Sequence, residues 1–199
     1  MNEIDIIHAV EAIKNQKLIV YPTDTLYGLG STINSENAIQ SIFTVKHRPF
    51  SMPLPVAVSD RKMLSNCVEL TPLARHLAEA FFPGKITLVC QKKKNISDLI
   101  TSNKNTVAIR IPDDEIALQL ISKTGPLIAT SANIHGKPTP AFVSEIRKLF
   151  KPSVVEVFVD DGPRQGQPST IIDVTGSHPV ILREGSIPAY IIQKMSETL

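Results

Sequence analysis

The sequence predicts an α+β fold, layered as in α/β proteins, with a twisted mixed sheet and helices on its faces. Three observations carry this. Apolar runs of strand length recur along the chain. Between them lie stretches with helical spacing and helix caps. The two kinds alternate too irregularly for a strict series of βαβ units, which an all-parallel sheet requires and a mixed sheet does not.

Taken in order, Ile4, Ile7, Val10 and Ile13 recur every three residues, the seam of a first amphipathic helix. "KLIVY" is a short buried strand closed by Pro22. "SENAIQSIFTVK" opens on Ser35 as N-cap and carries Ile39, Ile42 and Phe43 on one face of a second helix. "PLPVAV" is a strand whose prolines place it at a sheet edge or mark its start. "TPLARHLAEAFF" has Thr71 as cap and Pro72 at the first helical position. "KITLVCQ" and "NTVAIRIP" are strands on either side of a solvated turn around "KKKN". "DDEIALQLISKTG" is a helix with acids in its first turn and Gly125 past its end. "PLIAT" is a buried strand, "PAFVSEIRKLF" a helix and "SVVEVFVD" a strand. "STIIDVT" and "PVILREG" form a closing strand pair before the terminal helix "IPAYIIQKM".

Composition narrows the class without naming it. With 199 residues, 42% of them hydrophobic and 20% charged, the chain is long enough to bury a sizeable core. No repeat, low-complexity tract or composition shift marks a linker, so residues 1–199 are expected to form one domain. The net charge of +2 gives no global field toward a polyanion. Cys67 and Cys90 have no Cys or His nearby at metal-ligand spacing, and the histidines are scattered, so no protein-ligated metal is predicted. The N-terminus carries acids where a secretory signal needs bases, and no apolar run reaches the roughly 18 residues of a membrane span. The expected compartment is the cytoplasm.

Five stretches put polar groups where an apolar strand meets a loop: "PTDTLYGLG", "KHRPFSMPLPV", "TVAIRIP", "ATSANIHGKPTP" and "PSTIIDVT…ILREG". Ligands of open α/β sheets bind beyond strand ends, so the five are candidates together. Lys46 and Arg48 close a helix, where the helix dipole favours cations, or they form an anion clamp in which Arg48 presents a planar fork. Strand alternation leaves Arg110 either facing water or pointing into a pocket, and Arg183 poses the same question. Thr130, Ser131 and Asn133 either cap a turn or touch a ligand. No G-x-x-x-x-G-K-[ST] occurs, "GLGSTI" lacks the third glycine of the dinucleotide fingerprint, and no G-x-S-x-G is present.

Together, and in this order, "PTDTLYGLG", the K-x-R of Lys46 and Arg48, "SAN" and "STIID" resemble the YrdC/TsaC family of threonylcarbamoyl-adenylate synthases, from about Ile6 to Pro188. The resemblance implies a YrdC-like sheet with a concave basic cavity. It implies that L-threonine, bicarbonate and ATP become L-threonylcarbamoyl-AMP and pyrophosphate, with Mg²⁺ on the ATP, for threonylcarbamoyladenosine modification of tRNA by partner proteins. By the same resemblance Thr25, Arg110 and Ser169 contact threonine, and Lys46 and Arg48 hold the ATP phosphates as catalytic residues. Ser131, Asn133, Thr106, Thr139 and Arg183 complete the ATP contacts. The chain departs from the family pattern at Met52, Ala57 and His135. It resembles the short bacterial form, which lacks an extra C-terminal domain and works with separate partners. The alternatives are a paralogue without synthase activity and a YrdC-like module that contacts tRNA or double-stranded RNA.

Overall fold

A computed structural model describes residues 3–151 and 153–197, the side chains of Glu3 and Ile4 apart. The helices are α1 (Glu3–Lys14), α2 (Glu36–Lys46), α3 (Arg61–Cys67), α4 (Pro72–Phe81), α5 (Asp98–Thr101), α6 (Glu115–Thr124), α7 (Val143–Leu149) and α8 (Ala189–Ser196). The strands are β1 (Leu18–Tyr21), β2 (Gly28–Gly30), β3 (Val56–Ala57), β4 (Val68–Glu69), β5 (Ile86–Lys92), β6 (Thr106–Arg110), β7 (Leu127–Ile128), β8 (Thr130–Ser131), β9 (Val155–Phe158), β10 (Thr170–Asp173) and β11 (Val180–Arg183).

Local chemistry sets the helix ends, at Ser35 and Thr71 as the sequence predicts and at Asp114 as a cap where the sequence predicts an acid of the first turn. The Ser35 hydroxyl accepts from Ala38 N, the Thr71 hydroxyl from Ala74 N, and the Asp114 carboxylate from Ala117 N. Helix α1 forms where predicted, but its seam differs. Ile7 is 57% exposed, while Ile6, Ala9, Ala12 and Ile13 are buried; Ile4 lies outside the described side chains. A 3.6-residue turn drifts off a strict three-residue repeat, so the small alanines, invisible to a search for large apolar residues, define the true face.

The expected mixed sheet takes the form of two. Among the described residues a four-stranded sheet has the order β8-β2-β1-β9, and a seven-stranded one runs β11-β10-β5-β6-β3-β7 with β4 against β5. In the larger sheet β5 and β10 are parallel, as are β3 and β6, and the other neighbours are antiparallel. The run "PLIAT" serves both sheets. Leu127 and Ile128 pair with β3, Ala129 N donates to Pro55 O, and Thr130 and Ser131 pair with β2. The two prolines before β3 mark a strand start, and β3 lies inside the sheet rather than at its edge.

One large core fills the space under α2, α4 and α8, and a smaller one packs α1 and α6 with Ile19, Tyr21, Ala57 and Val159. Tyr21 is fully buried, and the absence of side chains at Gly28 and Gly30 makes room for its ring. A Cβ on Gly30 would sit 2.9 Å from the Tyr21 ring and inside van der Waals contact of Ile128 O, on the neighbouring backbone. Gly30→Ala is therefore expected to cost about 2 kcal/mol. Thermal denaturation should show Tm lowered by roughly 4–8 °C for a chain of this size.

Candidate functional site

The loop after β1 folds on its own hydroxyls. Thr23 Oγ1 donates to Leu26 O at 2.6 Å and lies 3.1 Å from Thr25 Oγ1. This leaves Asp24 and Thr25 facing the end of β6, where Arg110 is drawn inward. Its Nη2 donates to Asp24 Oδ1 at 2.6 Å and to Gly84 O at 3.0 Å, and its Nη1 donates to Thr25 Oγ1 at 3.3 Å. Arg110 is 7% exposed, which settles the alternatives that strand alternation left open.

The loop before β10 closes against the same place. Gly166 N donates to Thr25 O at 3.1 Å, an approach that a Cβ on Gly166 would block. Ser169, at the mouth of β10, is buried with its hydroxyl 2.8 Å from Thr87 Oγ1. Arg183 Nη2 donates to Ser169 O at 2.7 Å. Partial burial, and then the charge of Arg110, hold the Arg183 guanidinium below the ordinary arginine range. Two cations that feel each other make a place where an anion is favoured.

A second polar group gathers at the end of α2. The helix stops on His47, in the left-handed conformation at φ 51°, and Arg48 N donates back to Phe43 O at 2.9 Å. Lys46 is 1% exposed. Its ammonium donates to Ser131 O, to Asn133 O at 2.8 Å and to Asn133 Oδ1 at 3.0 Å, while His135 N donates to Lys46 O at 2.8 Å. The Ser131 hydroxyl lies 2.6 Å from Asn133 Oδ1, and Asn133 Nδ2 donates to Lys137 O. All three ammonium protons are thus used on one loop. Lys46 shapes that loop, and a direct phosphate contact would require releasing one of these oxygens. Arg48 keeps more freedom: Nε donates to Met52 O at 3.0 Å and Nη2 to Pro53 O at 2.7 Å, leaving Nη1 for a ligand.

Burial, with the charge of Arg48 added, pushes the Lys46 amine down to about 7. Burial also lowers Arg48. Buried tyrosine 21 moves the other way, upward, chiefly by desolvation.

Register joins the two groups. Ser131 pairs with Gly28, the first residue of β2, and Ala132 N donates to Tyr27 O at 2.8 Å. Thr25 precedes Gly28 by three residues, at most about 11 Å of chain. Paired strand residues lie about 5 Å apart. The amino-acid and phosphate candidates therefore sit within the reach of one small ligand pair. Thr106 begins β6, four residues or roughly 13 Å along the strand from Arg110. Thr106 pairs with Gln91 of β5, at the opposite end of β6 from Arg110. Thr139 is half-buried in the loop between β8 and α7.

Two residues escaped the sequence reading. Asp24 stood inside the quoted loop, yet nothing marked it as the partner of a strand arginine 86 positions away. Tyr27 donates to Gly162 O at 2.6 Å and accepts from Asp161 N at 3.0 Å, anchoring the loop that carries Gly166. Two grooves lie elsewhere, of about 410 Å³ beside His8, Glu11 and Glu156 and about 470 Å³ along Asn37, Gln40 and Ser41. Neither is lined by any of these polar groups. Among the described residues no His, Cys, Asp and Glu group is placed to hold a metal, and no helix is long and apolar enough to cross a membrane.

The Sua5/YciO/YrdC family model, described as "Telomere recombination", matches residues 11–185. The chain belongs to this family. It is 40% identical over 186 residues to a threonylcarbamoyl-AMP synthase of Pyrococcus abyssi, covering 92% of this chain and 54% of that protein. It is 36% identical over 185 residues to a putative threonylcarbamoyl-AMP synthase of Methanocaldococcus jannaschii, covering 92% and 86%. The crystal structure of P. abyssi Sua5 complexed with L-threonine superposes with a TM-score of 0.91 at 38% identity, over 98% of this chain and 58% of that one. The chain thus spans about half the length of the Pyrococcus relative and most of the Methanocaldococcus one.

An anion bound beside Arg48 favours the charged form of Lys46 and raises its pKa. Linkage then fixes the sign. Affinity is level below about pH 7, where the amine is already charged, and falls by up to about tenfold per pH unit above it. Titration with sulfate, whose charge is constant from about pH 6 to pH 9, should show that decline with proton uptake, and Lys46→Gln should abolish it.

Proposed function

We propose that this chain is an L-threonylcarbamoyladenylate synthase, a nucleotidyltransferase that converts L-threonine, bicarbonate and ATP into threonylcarbamoyl-AMP and pyrophosphate. The product serves threonylcarbamoyladenosine formation in tRNA with the help of partner proteins. The observation that carries this reading is that Thr25 accepts from Arg110 while the strand that follows it pairs, at Gly28, with Ser131, whose carbonyl accepts from Lys46, two residues before Arg48. It is supported by similarity to proteins named for the synthase and to one solved with L-threonine.

The chemistry asks little of the protein in bonds and much in alignment. Threonine's amine adds to carbon dioxide derived from bicarbonate, giving a carbamate. A carbamate oxygen then attacks the α-phosphorus of ATP, and pyrophosphate leaves. No protein nucleophile is required. Two anions must instead be brought together against their repulsion, with charge stabilised on the phosphorus oxygens. Arg110 suits the threonine carboxylate, and Arg183, expected among the ATP contacts, donates to Ser169 O and so suits the carbamate that joins the two ligands. Arg48, steadied by Met52 O and Pro53 O, suits the phosphates, and the Lys46-bound loop presents Ser131 and Asn133 to the nucleotide. ATP enters as its Mg²⁺ complex, so the metal arrives with the substrate. The buried setting of Thr25, Arg110 and Ser169 protects a carbamate that water would destroy.

Mass detection of threonylcarbamoyl-AMP from the purified chain, given threonine, bicarbonate and MgATP, is the direct test. A charge-assisted hydrogen bond contributes roughly 1.5–3 kcal/mol. Arg48→Ala should therefore lower synthesis about ten- to a hundredfold, and an unimpaired variant removes its phosphate role. Arg110→Ala should raise the threonine requirement while ATP binding is largely kept. Equal loss for both ligands would overturn its assignment.

A further inference from the structure

The buried ion pair at the threonine end is incompletely satisfied. The Asp24 and Arg110 side chains are only 5% and 8% exposed, and they meet through a single short contact. Asp24 Oδ2 and Arg110 Nε are both buried without a hydrogen-bond partner. Such groups are rare in folded proteins, and each asks for a counterpart. The two orphans carry opposite character, one an acceptor on an anion and the other a donor on a cation. A ligand that bears only a carboxylate would answer Arg110 and leave Asp24 Oδ2 without a donor, as a buried anion short of its counterpart. A ligand that bears only an ammonium would strand Arg110 in the same way. An amino acid carries both charges on one carbon and can compensate both partners at once.

We infer that Asp24 and Arg110 form an exchange site for a zwitterion, in which the substrate carboxylate replaces Asp24 on Arg110 and the substrate α-amino group takes the freed Asp24 carboxylate. This rests on the reading of the place around Thr25 and Arg110 as a threonine site and adds its selectivity. Asp24 is then an amine-binding residue. It accepts an N–H of the substrate and fixes the direction of the nitrogen that will form the carbamate. Thr23 and the Thr25 backbone, tied to Leu26 O and Gly166 N, hold the loop so that Asp24 can change partner without the loop unfolding.

The test compares two ligands by calorimetry on the whole chain: L-threonine, and β-hydroxybutyrate of matching configuration, which is threonine without its amino group. The unmodified protein should bind threonine at least about a hundredfold more tightly. In Asp24→Asn the ratio should shrink to less than about tenfold through loss of threonine affinity, while Asp24→Glu, which keeps the charge, should retain more of it. ATP affinity reports that each variant is folded. A ratio unchanged in Asp24→Asn, or near-equal binding of the two ligands by the unmodified protein, overturns the exchange. If Asp24→Asn does not fold, the ratios of the unmodified protein and of Asp24→Glu decide by the same criterion. Arg110-dependent threonine binding with an unchanged ratio would remove the exchange and leave the synthase reading standing. Absence of threonine binding in a chain that still binds ATP would remove the threonine site itself.

Discussion

A cation buried in a protein has to be surrounded by oxygens, and among the described residues Lys46 is buried at a helix end and Arg110 at a strand end. Lys46 has its three protons on Ser131 O and on the carbonyl and side-chain oxygens of Asn133. Arg110 is met by Asp24, Thr25 and Gly84. Either group left without those partners would carry an uncompensated charge in a low-dielectric setting, a cost of several kcal/mol. The loops that supply the oxygens are therefore not free to wander. Each polar stretch has its shape because it answers a charge delivered by another part of the chain.

The same demand links the fold to the proposed chemistry. The run from Leu127 to Ser131 begins in one sheet and ends in the other, so the residues it carries onward reach the helix end at Lys46. β2 receives it on one side, and the turn into β2 presents Thr25 to Arg110. Gly28 and Gly30 permit this crossing because the ring of Tyr21 occupies the space that their side chains would need. A packing requirement in the core and the proposed binding geometry thus share one short segment. Positions that look like loop chemistry are coupled to stability through it.

Comparison of Lys46 with Arg48 shows how residue type divides the work. The ammonium is a compact three-proton donor, and it is consumed in holding a loop. The guanidinium has donors to spare after fixing Met52 O and Pro53 O, and keeps a face for a ligand. The K-x-R spacing delivers both because the helix ends between them. His47 turns left-handed and sends Arg48 off the helix axis, whereas Lys46 stays on the buried face.

Much of the fold was legible in the sequence, since caps, short apolar runs and turn residues act over a few positions. Ser35, Thr71 and Asp114 each cap a helix through a backbone amide three residues on. The five polar stretches could be picked out because they interrupt those local patterns, and their order carried the family. The short α3 and α5, and the strands β2 and β4, have too few residues for a period to register. The seam of α1 was misplaced because small residues give a weak hydrophobic signal. Pairing belongs to a different scale. That Asp24 meets Arg110, that Lys46 is sealed by the loop after β8, and that one apolar run divides between two sheets all depend on contacts between residues far apart along the chain. Local chemistry decided what each segment could be; only the closing of the sheets decided which charges would answer one another.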